Sequence, residues 1–146
     1  MKNILFICLG FAASLTAVAA GGPDDSKALQ GIWIPVKAEL GGQPMAAEVL
    51  KTITLKLNKG DYEVTVTGEA ESDTGTWTLD AAARPKGMKI AGLKGPNAGK
   101  TFPAIYDLKG DTLCICYDLS GANRPAEFKT SAGTKLFLVT YNRKKP

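Results

Sequence analysis

From residue 30 onward, apolar residues recur at every second position, in short runs cut by glycine, asparagine and proline. A period of two puts successive side chains on opposite faces of a strand, and no run here is long enough to read as a crossover helix. In the run 52–57, Ile53, Leu55 and Leu57 share one face, and Thr52, Thr54 and Lys56 share the other. Asn58-Lys59-Gly60-Asp61 then reads as a hairpin turn, because Asn and Gly accept the positive φ that tight hairpins need. The chain returns with Tyr62, Val64 and Val66 on the apolar face. Lys109-Gly110-Asp111 marks a second such turn, between 102–108 and 113–117. With further runs at 30–40, 75–79, 88–90 and 135–142, the pattern predicts eight strands. Only a short helix at 44–50 and a turn at 24–29 break it. Short connections make sequence neighbours sheet neighbours, and closing the meander removes its exposed edges. The expected fold is all-β: an eight-stranded antiparallel up-and-down barrel with one short helix.

The first 20 residues stand outside this pattern. Lys2 precedes an apolar run that ends in Ala17-Val18-Ala19-Ala20, the arrangement of a signal peptide cleaved after Ala19 or Ala20. Residues 21–146 are then one exported domain, periplasmic or extracellular, with no later stretch apolar enough to span a membrane. The chain has 18 Lys and Arg against 14 Asp and Glu, evenly spread, and its densest basic cluster is Arg143-Lys144-Lys145. A cluster of three reads as a solvated end, so no nucleic-acid partner is expected. There is no histidine, which removes Ser-His-Asp and Cys-His catalysis, the common zinc-hydrolase ligand sets and any histidine pH switch.

Gly31-Ile32-Trp33 opens the first strand, and Arg143 closes the last. This resembles the lipocalin and wider calycin pattern, in which a Gly-x-Trp begins the barrel and a late Arg packs across the Trp. The resemblance implies that Gly31, Trp33 and Arg143 close one barrel end, where a guanidinium on an indole face contributes about 0.5–2 kcal/mol. A second resemblance runs through the chain. It is carried by Leu29 to Trp33, by Gly75-Thr76-Trp77 with Arg84-Pro85-Lys86, by Ala104 to Cys116, and by Arg124-Pro125-Ala126-Glu127-Phe128. These segments are similar to a planctomycete-type lipocalin-like domain family, from which the chain departs at Cys114 and Ala104. The family carries no established activity, so the resemblance implies the fold alone.

No constellation points to catalysis. Asp73, Asp80, Asp107 and Asp111 sit at strand ends or turns, where Asp is favoured for turn reasons. Glu69 with Glu71, and Asp61 with Glu63, are spaced as solvated outer-face pairs. Cys114 and Cys116 lie one strand period apart, marginal for a disulfide, with neither histidine nor a third exported cysteine to complete a metal site. They read as small outer-face hydrophobes. Gly95 to Thr101 is one residue short of a phosphate-binding loop and precedes a strand, so it reads as a flexible inter-strand loop. No catalytic residue, cofactor or metal is expected.

Two features bear on binding. Tyr62, Trp77, Phe102, Tyr106 and Tyr117 are inward aromatics that could line a cavity or fill it, since an eight-stranded barrel has room for either. Small inward residues at Ala104 and Gly75 favour free volume; the short strands with bulky residues oppose it. In the loop 119–133, Arg124, Pro125, Glu127 and Phe128 form either a recognition element or a structural anchor. In the anchor, Phe128 plugs the barrel end and Arg124 holds loop carbonyls or Glu127. The first expectation is a small apolar or amphipathic ligand in the barrel. The alternative is a solid-cored interaction or inhibitor module that meets a protein through the 119–133 loop.

Overall fold

The structure is a computed structural model describing residues 25–146, so the signal segment expected at 1–20 lies outside the described residues. Each alternating run forms a strand. In chain order the elements are α1 (Asp25–Ala28), β1 (Gly31–Leu40), β2 (Gln43–Pro44), α2 (Ala47–Leu50), β3 (Ile53–Asn58), β4 (Asp61–Val66), β5 (Asp73–Asp80), β6 (Gly87–Lys94), β7 (Thr101–Lys109), β8 (Thr112–Asp118) and β9 (Leu136–Arg143). The sheet order is β2-β1-β3-β4-β5-β6-β7-β8-β9, antiparallel throughout, and β9 pairs back onto β1. Eight strands thus close into the barrel, with β2 as a small flap.

The helix expected at 44–50 is shorter than its sequence suggests. Gln43 and Pro44 turn back to pair with Leu40 and Glu39, leaving only Ala47–Leu50 helical. The turn expected at 24–29 contains α1. β1 bulges between Pro35 and Lys37, where a proline without an N–H cannot complete a regular ladder. Beyond Trp33, β1 no longer pairs with β3, and α2 lies against β1 near the divergence.

The two barrel ends differ. At one end lie α1, the turns 59–60 and 109–111, the loop 81–86 and the end of β9. Here Trp33 is fully buried and donates from Nε1 to the Leu29 carbonyl at 2.9 Å. Trp33 and Arg143 are direct register partners, and the guanidinium lies 4.3 Å from the indole ring centre. That guanidinium also donates to the carbonyls of Gln30 and Ala28, both at 2.6 Å, and to Asp111 at 3.0 Å. Gly31 has φ 143°, and a Cβ there would sit 2.8 Å from the Arg143 guanidinium. Only glycine leaves the arginine room to cross.

The same end holds a second polar tie. Lys86 and the Tyr106 hydroxyl both donate to one oxygen of Asp25, at 2.8 and 2.7 Å. Burial opposes the charge on Asp25, but these two bonds outweigh it and hold its carboxyl below the ordinary value. Burial first, then Asp25, pushes the Tyr106 hydroxyl up.

The loop 119–135 packs on the outside of the barrel. Cross-strand partners run in one unbroken row: Asp80, Gly87, Ile105, Cys116, Leu138 and Glu39. The loop follows this row as a strap. Arg124 pairs with Asp80 at 3.1 Å, and its guanidinium lies where a Cβ on Gly87 would be. The Cys116 thiol meets the Lys129 carbonyl at 3.8 Å. Thr130 is buried; it donates to the Glu39 carboxylate and accepts from Gly42 N–H at 2.9 Å. At the strap's start, Asp118 accepts from Ser120 N–H, Ser120 Oγ and Asn123 N–H. Those bonds outweigh its burial and hold its carboxyl low.

Candidate functional site

The other half of the barrel is hollow. A cavity of about 800 Å³ opens at the end formed by α2, the loop 95–100 and the base of the strap. Alternation supplies its wall: Leu55 and Leu57 from β3, Tyr62 and Val64 from β4, Met88 and Ile90 from β6, Phe102 from β7, Ile115 and Tyr117 from β8, and Phe137, Val139 and Tyr141 from β9. Pro35 and Ala38 of β1 and Leu50 of α2 also line it.

Of the five aromatics expected to face a cavity, Tyr62, Phe102 and Tyr117 line this one. Trp77 and Tyr106 do not. Both point inward and belong to the core, but their polar tips tie them to closed-end groups. Trp77 Nε1 donates to the Asp61 carbonyl at 2.9 Å beside the 59–60 turn, and Tyr106 reaches Asp25. They plug the bottom of the barrel with Trp33 and Leu113.

Two polar groupings interrupt the apolar wall. Inside, the hydroxyls of Tyr117 and Tyr141 meet at 3.2 Å, and both side chains are at least nine-tenths buried. Burial pushes Tyr141 up to about 12 and Tyr117 well above its ordinary value, the latter helped by its tyrosine neighbour. Nearer the mouth, Tyr62 donates to Asp73 at 3.3 Å, and Asn97 donates to the other Asp73 oxygen at 2.7 Å. Burial, then the Asp73 charge, pushes Tyr62 up to about 12. The only other charged residues of the lining are Lys100 and Lys135, both exposed at the mouth and without an ion pair among the described residues.

The loop 95–100, expected to be a flexible inter-strand connection, is pinned into the mouth. Gly92 N–H donates to Lys100 O, Gly99 N–H donates to Gly92 O, and Asn97 reaches Asp73. Tyr141 is not among the expected pocket residues. Its signal is the alternation Phe137, Val139, Tyr141, the same pattern that exposes the other strands.

The loop residues sit elsewhere. Arg124 bonds Asp80, not Glu127 or a loop carbonyl, and Pro125 is buried. Glu127 is exposed. Phe128 is half-buried in the strap, lines no part of the cavity and is not among the side chains packed against the barrel core, so it plugs neither end. The strap crosses the outer wall, and only its base, from Leu119 to Gly121 and at Lys135, reaches the mouth.

Cys114 and Cys116 are both free thiols on the outer face, the first half-buried and the second fully buried under the strap. Burial, the main influence on each, pushes both thiols up, away from the reactive thiolate. Among the described residues, no three His, Cys, Asp or Glu side chains gather as metal ligands do. No described helix is long and apolar enough to cross a membrane. In comparisons with known proteins, no family model, no curated protein and no solved structure matches this chain.

Proposed function

We propose that the chain is an exported lipocalin-like barrel that binds a small apolar or amphipathic ligand inside its open half. The cavity carries this reading: about 800 Å³ lies within the range of small-molecule sites, and its wall is largely apolar with a few placed hydroxyls. Apolar burial supplies the driving force, and Lys100 and Lys135 at the rim suit the polar end of an amphipathic molecule. The stacking of Arg143 on Trp33, with Gly31 beneath it, supports kinship with the planctomycete-type lipocalin-like family. A hollow interior lends nothing to the competing solid-cored interaction module.

Native mass spectrometry of the protein purified from its own host tests the proposal. A reproducible added mass that organic extraction removes is the expected result. A bare chain that also fails to enhance the fluorescence of any apolar probe would overturn it.

A further inference from the structure

The Tyr117–Tyr141 pair says more about the ligand than cavity size does. Two hydroxyls carry two hydrogens, and the 3.2 Å contact between them uses one. Neither oxygen has another protein partner among the described residues, so the second hydrogen lacks a protein acceptor. Both rings line the cavity, and burial favours the neutral, donating form of each. A buried hydroxyl left without an acceptor is destabilising, whereas one that a ligand completes adds both affinity and orientation.

We infer that this pair is the polar anchor of the cavity, donating one hydrogen bond to a neutral carbonyl on an otherwise apolar ligand. The inference rests on the ligand-binding reading above and adds the functional group that the site selects. Charge argues for neutrality. The cationic residues of the lining, Lys100 and Lys135, are at the exposed mouth, and a carboxylate drawn down to the tyrosines would be desolvated without a counter-ion. A ketone or ester accepts the spare hydrogen without that penalty. An aliphatic chain fills the same space but leaves the donor unmade.

Two fluorescent probes separate the inference from the reading beneath it. Diphenylhexatriene has no acceptor and brightens on entering any dry apolar cavity. 6-Propionyl-2-dimethylaminonaphthalene carries a ketone, and its emission moves to the red when the carbonyl accepts a hydrogen bond. Wild-type protein should brighten both, with the ketone probe red-shifted relative to its emission in a hydrocarbon. The variants Y117F and Y141F should each keep the red shift, because the surviving hydroxyl then has its hydrogen free for the ligand. The double variant Y117F/Y141F should still fold, since both partners are replaced by apolar groups of the same shape. It should still bind diphenylhexatriene, bind the ketone roughly three- to tenfold more weakly relative to that probe, and return its emission toward the hydrocarbon position.

If diphenylhexatriene binds but the ketone's emission is the same in wild type and double variant, the anchor is overturned and the cavity reading survives. The anchor also falls, and the cavity reading again survives, if the ketone fails to bind while diphenylhexatriene does. If neither probe binds wild type, both readings fall.

Discussion

Ile105 and Cys116 face each other across β7 and β8 on the outside of the barrel, yet neither exposes any surface. Outward strand positions are normally wet. Here the strap makes a second, smaller apolar layer, held by Arg124 on Asp80 at one end and by Thr130 on Glu39 at the other.

Reagent reaches Cys116 only when that layer lifts. Cys114 should therefore label first with a maleimide, and Cys116 more slowly. Thr130→Val removes the hydroxyl that links Glu39 to Gly42 and should raise the Cys116 rate about fivefold, the equivalent of one ordinary hydrogen bond. Site-resolved mass spectrometry over a labelling time course measures both rates. Equal rates in the wild type would show that the strap does not protect the thiol.

Removing Arg143 should weaken the closed end. Arg143→Ala loses the indole contact and the hydrogen bonds to Gln30, Ala28 and Asp111. A loss of about 2 kcal/mol is expected. That corresponds to a melting temperature lower by roughly 8 °C for a domain of this size. Arg143→Lys should rescue little, because an ammonium cannot reproduce the planar fork. Gly31→Ala should destabilise as well, by displacing the same guanidinium. An unchanged melting temperature in Arg143→Ala would remove the residue from barrel closure.

Asp118 predicts an acid-sensitive strap. Its folded carboxyl titrates below the ordinary 3.8, so its charge stabilises the fold above that value. The contribution disappears as pH falls through the folded value. Asp118→Asn should be less stable than wild type near neutrality, and the gap should close in strong acid. Denaturant melts across the acid range decide the point; a constant gap at every pH contradicts it.

All four tyrosines of the chain are pushed above their ordinary value of 10.0. Each neutral phenol therefore stabilises the fold below that pH, and the contribution fades as pH rises through the higher folded values. Ultraviolet titration should show almost no phenolate at the pH where free tyrosine is half ionised. Phenolate absorbance should then rise with alkaline unfolding. A tyrosine ionising at its ordinary value while the fold persists contradicts this burial.

Val64 lines the cavity from β4 and is half-buried, so there is room to fill. Val64→Trp should leave the melting temperature unchanged or raise it, because the added ring meets void and not packed core. Diphenylhexatriene binding should fall by about tenfold or more as the volume is lost. Undiminished binding would place the probe elsewhere.

Strand faces were legible in the chain because alternation and turn residues are local signals. Height along the barrel was not. Trp77 and Tyr106 share the inward face with Tyr62 and Phe102, but closure decides which level each reaches. Trp77 finds its closed-end partner, Asp61, only through the register of β4 and β5, and Tyr106 finds its own, Asp25, 81 positions away. The strap was hidden for the same reason. Arg124 could be read as a candidate anchor, but Asp80 becomes its partner only once β5 to β9 and β1 align the outer row. Tyr141 was within reach through its own alternation, though its meeting with Tyr117 depends on the register of β8 and β9.

The pairing of β9 with β1 also sets an order of events in folding. Gln30 and Arg143 are 113 positions apart, yet they bond directly at the closed end. The hairpins from β3 to β8 can form from neighbouring segments as each emerges, whereas closure must wait for the last strand to find the first. Contacts of such high contact order form slowly. Until then the barrel is an open, curled sheet whose two free edges belong to β1 and β9. Chaperone capture or misassociation would therefore centre on those two strands, and the Arg143–Trp33 contact is the latch whose formation ends that exposure.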